Sequence, residues 1–64
     1  MKLLVKEARK STGVSQESLA KLSGVSRATI SDMENNKKAV TTTRTLEKIA
    51  TALGKRVDQL IDLD

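Results

Sequence analysis

Each of the chain's three glycines, Gly13, Gly24 and Gly54, closes a short apolar stripe at helical spacing. Leu3, Leu4, Ala8 and Ser11 run up to Gly13. Leu19, Ala20, Leu22 and Ser23 run up to Gly24, and Leu46, Ile49, Ala50 and Leu53 run up to Gly54. Apolar residues three and four apart mark one face of an α-helix, and glycine ends a helix because it adopts a left-handed backbone without steric cost. Ser15, Ser26 and Thr42 stand where helix caps belong, with side-chain oxygens able to accept first-turn amides. After Gly24 the pattern restarts at once with Val25, Ile30 and Met33, and Val57, Leu60 and Ile61 repeat the spacing once more. The expectation is an all-α chain of five short helices, with residues 35–44 as a loop. A mixed fold using "AVTTTRT" as a strand is the alternative, but a lone strand has nothing to pair with.

A 64-residue chain has room for one small core. We therefore expect a single domain over residues 1–64. Small folds often add disulfides or a metal. This chain has no Cys and no His, which excludes disulfides and the usual zinc ligand sets. With no Phe, Tyr or Trp, aliphatic residues and alanine must build the interior. The lack of rings also argues against a base-stacking surface for single strands, an RNA-recognition sheet or a sugar site. Serine is present, but a serine nucleophile would lack its histidine base, and no G-x-S-x-G turn occurs. We expect no enzyme and no cofactor. No apolar run approaches the roughly 20 residues of a membrane span, and nothing resembles a signal peptide, so a cytoplasmic protein is expected.

The charge is uneven. All 12 Lys and Arg fall within residues 1–56 with five of the eight acids, so that stretch is +7, while Asp58, Asp62 and Asp64 leave the tail at −3. A basic body attracts polyanions, and the acidic end should point away from them. The same charge also suits a plain solvated surface.

The stretch "LAKLSGVSRATIS", residues 19–31, sets two helices a few residues apart, so they must cross steeply. Close backbones need a small residue, which Ala20 supplies. The turn needs a residue tolerant of positive φ, Gly24, and the wedge needs a branched apolar filler, Ile30. Leu19, Val25 and Met33 complete the seal. Counting from Gln16, the alanine, glycine and isoleucine fall at positions five, nine and fifteen, the helix-turn-helix spacing. With its flanks, "EARKSTGVSQESLAKLSGVSRATISDMENNKK…TLEKIATALG" resembles the lambdoid phage repressor and Cro family of DNA-binding domains, over about residues 3–61.

That resemblance implies a compact five-helix bundle. Its motif falls at about residues 16–35, and its third helix lies in the DNA major groove. Physical reasoning agrees, since a groove about 12 Å wide admits one α-helix, read by side chains of its first turn. The expected base contacts are Ser26, Arg27, Ala28, Thr29 and Asp32. Arg27 can donate twice to guanine, and Ala28 and the Thr29 methyl suit a thymine methyl. Asp32 either accepts from cytosine N4 or repels phosphates. Gln16 resembles the family residue that holds a phosphate at a helix start. Asn35, Lys37, Lys38 and Arg44 offer further phosphate donors, and Lys10 can reach the opposite backbone. Arg9 and Glu34 match family positions that form a partly buried ion pair. Thr41, Thr43 and Asn36 stand where the family often carries proline, an aliphatic residue and glycine.

The function implied is a sequence-specific double-stranded DNA-binding transcription regulator of a bacterium or phage, a repressor acting as a homodimer on a palindromic operator. Val57, Leu60, Ile61 and Leu63 are the expected dimer surface, unless they face the monomer's own core. The rival is an antitoxin or adaptor whose main partner is another protein, since a fold does not fix a function.

Overall fold

The structure, a computed structural model, describes residues 2–35 and 41–62. Four α-helices carry the fold: α1 (Val5–Ser11), α2 (Gln16–Ser23), α3 (Arg27–Asn35) and α4 (Thr43–Leu53). The residues at each end of the fold form two short strands, β1 (Lys2–Leu3) and β2 (Ile61–Asp62), paired antiparallel with Lys2 opposite Asp62 and Leu3 opposite Ile61.

The helix boundaries follow local chemistry. The Ser15 hydroxyl accepts the Ser18 amide at 3.0 Å, and Thr42 accepts the Thr45 amide at 3.1 Å. Both caps satisfy first-turn donors that have no partner inside the helix. Gly24 ends α2 at φ +74° and donates its amide to the Ala20 carbonyl at 3.0 Å. A Cβ built there meets no atom within 4 Å. Glycine is needed for its backbone angle, not for space, and that angle sends the chain directly from α2 into α3.

Leu3, Val5, Leu19, Ile30, Ile49 and Leu60 are the largest fully enclosed side chains, one or more from each of β1, α1, α2, α3, α4 and the C-terminal segment. Val25, Met33, Leu46, Ala50 and Leu53 join them, and Ala20 packs against the cluster half-buried. Full burial of an aliphatic side chain stabilises by about 1.5–3 kcal/mol, so this aliphatic set can hold a small fold without a ring or a metal.

Leu22, expected in the apolar stripe of α2, is exposed, and two further expectations need correction. The fifth helix is absent among the described residues, and the chain there makes one 3-10 turn, Val57–Gln59, before entering β2. One turn followed by a strand satisfies the same apolar spacing, with Leu60 enclosed and Val57 and Ile61 packed half-buried against the interior. The Leu4 amide donates to the Leu60 carbonyl at 2.8 Å and draws the next two residues into pairing with β1. At the other end Leu3 lies in β1, not in the first helix, which begins at Val5. The all-α class stands, but the interior is closed by a ribbon between the two ends.

Candidate nucleic-acid interface

Helix α3 divides cleanly by side. Ile30, Met33 and Glu34 are buried, while Arg27, Ala28, Thr29, Asp32 and Asn35 are exposed. Nine residues at 1.5 Å each span about 14 Å, on a cylinder about 10–12 Å across. An exposed helix of those dimensions matches the roughly 12 Å width of the DNA major groove.

The polar groups of the exposed side differ in their present bonding. Ser26 caps the helix, its Oγ accepting the Thr29 amide at 3.1 Å and donating to Thr29 Oγ1 at 2.8 Å. The two hydroxyls are thus bonded to each other at the start of the helix. Asn35 donates from Nδ2 to Ser31 Oγ at 3.3 Å. Ser31 lies half-buried along the row Arg27, Ser31, Asn35, four residues apart. Sequence reasoning passed over it, although its spacing from Arg27 already placed it there.

The expected backbone donors separate into three groups. Lys10 on α1 and Arg44 in the first turn of α4 are exposed, as is Asn35. Lys37 and Lys38 lie outside the described residues, as does Asn36. Gln16 is half-buried, and its Nε2 donates to Glu34 Oε1 at 3.1 Å. No local pattern along the chain signals that bond, since 18 residues separate the partners.

Glu34 is the centre of this arrangement. Arg9 donates from Nε to Oε2 at 2.7 Å and from Nη2 to Oε1 at 3.0 Å, while its Nη1 donates to the Val14 carbonyl at 2.8 Å. Side-chain exposure is 12% for Arg9 and 2% for Glu34. Burial works to raise the Glu34 carboxyl pKa. The bonds from Arg9 and Gln16, with the charges of Arg9 and Lys6, outweigh it, so the net shift is downward. Arg9 is held above its ordinary value, chiefly by its bond to Glu34. Both groups are charged at neutral pH. A two-pronged guanidinium–carboxylate pair with further hydrogen bonds is the geometry in which a buried charge is tolerated.

The C-terminal segment divides as well. Leu60, one of the expected dimer residues, is wholly enclosed by its own chain and offers no side-chain surface to a partner. Val57 and Ile61 are half-buried and pack against the same interior. Leu63 lies outside the described residues. Among those residues, no group of His, Cys, Asp or Glu could hold a metal ion, and no helix is long and apolar enough to cross a membrane.

Two helices joined through a left-handed glycine, the second presenting an exposed side and a buried ionic anchor, define a helix-turn-helix unit. The helix-turn-helix family model matches residues 5–60, and the chain belongs to that family, the lambda repressor-like group of DNA-binding transcription regulators. A search of curated proteins found no match.

Proposed function

We propose that the protein is a sequence-specific repressor that binds double-stranded DNA as a homodimer on a palindromic operator. The observation that carries this reading is the split of α3, with one side sealed into the interior and the other open along its whole length. Arg27 reads guanine at the start of the helix, next to contacts from Ala28, Thr29 and Asp32. Ser26 shapes the helix start through its bonds to Thr29 and adds a hydroxyl for phosphate or base. Gln16, Asn35, Arg44, Lys10, Lys37 and Lys38 hold the flanking phosphates.

Dimerisation follows from reach. One reading helix covers too few base pairs for useful selectivity, and matching half-sites recur about 34 Å apart along one side of the duplex. The protein's longest extent is 29 Å, so two copies fit side by side within such a spacing. Val57 and Ile61 are the described residues of the expected partner surface, with Leu63 beyond them.

Selection of bound duplexes from a random-sequence pool tests this. The expected product is two inverted half-sites with centres 10–11 base pairs apart. Recovery of single half-sites would remove the dimer. Equal retention of scrambled duplexes at the same salt would remove sequence-specific reading altogether.

A further inference from the structure

We propose that Glu34 is a positioning residue for DNA binding: its carboxylate fixes the Gln16 side-chain amide so that one hydrogen faces inward and the other is presented to a backbone phosphate. The proposal rests on the DNA-binding reading above. It concerns a bond within the protein that is already made in the absence of DNA.

An ionised carboxylate accepts hydrogen bonds and cannot donate one. Glu34 Oε1 therefore selects the Nε2 end of Gln16, at 3.1 Å, and excludes the flipped amide that would set oxygen against oxygen. The –NH2 group has two hydrogens in the amide plane, about 120° apart. With one directed at Glu34, the direction of the other is set. The base of the arrangement is firm on both sides. Arg9 grips both oxygens of Glu34, and it also holds the Val14 carbonyl, two residues ahead of Gln16. The entry to α2 and the end of α3 are thus tied to one guanidinium on α1. Gln16 begins α2, where first-turn amides and the helix dipole favour an anion. A surface glutamine would lose side-chain freedom on gripping a phosphate, whereas this one has already lost it on folding.

Glu34→Gln tests the idea, because it keeps the shape while placing an –NH2 group against Gln16 or Arg9. In 15N-labelled protein without DNA, the two Gln16 side-chain amide protons should have distinct, displaced shifts. Those shifts should move toward free-glutamine values in Glu34→Gln. Identical Gln16 signals in both proteins overturn the proposal. With a duplex selected by this protein from a random pool, Gln16→Ala and Glu34→Gln should each weaken binding about fivefold, the size of one hydrogen bond. The double variant should be no weaker than either, whereas losses that multiply overturn the proposal. Arg27→Ala combined with Glu34→Gln should multiply, since Arg27 acts at a different contact.

If Glu34→Gln does not fold, the structure of the wild-type protein on the same duplex decides. Gln16 Nε2 should lie within 3.5 Å of both Glu34 and a phosphate oxygen, and a Gln16 that has left Glu34 overturns the proposal. Failure of the underlying reading looks different: no duplex is enriched from the pool, while the Gln16 signals still respond to Glu34→Gln.

Discussion

The two sides of α3 obey different rules. Inward, Glu34 is almost wholly buried and its carboxylate takes three hydrogen bonds, two from Arg9 on α1 and one from Gln16 on α2. Outward, Arg27, Ala28 and Asp32 are exposed and barely constrained by the fold. One nine-residue helix therefore separates what holds the protein together from what it offers to DNA. Substitutions on the inner side should cost stability first, and substitutions on the outer side should change affinity with little effect on stability.

The largest effect is expected at the inner side. Arg9→Ala leaves the Glu34 carboxylate buried with Gln16 as its remaining hydrogen-bond donor, and should destabilise the fold by about 3–5 kcal/mol in urea unfolding. A loss below 1 kcal/mol would mean that water reaches Glu34 freely, and the contrast between the two sides would fail. Next comes Arg27→Ala. It should remove about 1–3 kcal/mol of discrimination at one base position of each half-site. Its unfolding midpoint should stay near that of wild type, since exposed substitutions lie within about 0.5 kcal/mol. Unchanged base preference, with binding to a protein partner intact, would favour the antitoxin or adaptor role instead.

Acid is the mildest way to probe the same contrast. The folded pKa of Glu34 lies below its ordinary value, so its contribution to stability is fully present above the ordinary carboxylate range. That contribution fades as pH falls toward and through the lower folded value. The Arg9 shift is upward, so its contribution persists throughout this window. Unfolding compared at neutral pH and near pH 3 should show a larger acid loss in wild type than in Glu34→Gln, which has no proton to take up there.

Much of this was legible along the chain. Caps at Ser15 and Thr42, the left-handed turns at Gly24 and Gly54, and the inward set Leu19, Ile30, Met33 and Ile49 all follow from residue type and spacing within about ten positions. The exposed side of α3 was equally readable, because 100° per residue fixes which positions oppose Ile30 and Met33. Ser31 carried the same signal, one turn beyond Arg27. Apart from Leu22, which the α2 spacing placed inward and the fold exposes, the departures gather at the two ends of the fold. Leu3 fits a helical stripe and a strand equally well, and so does the run from Val57 to Ile61, since two or three apolar residues cannot separate a period of 3.6 from one of 2.

The sequence by itself determined the four helices, their stops, the left-handed turn at Gly24 and the identity of the residues on the outer side of α3. These depend on local sterics and on the chain's own periodicity. Only the tertiary structure decided that the two ends pair as a ribbon, that Leu60 belongs to the interior, and that Gln16 bonds to Glu34. The ribbon and the Gln16–Glu34 bond each join groups 18 or more residues apart. Their formation depends on which surfaces meet after the helices pack, and no local preference encodes that.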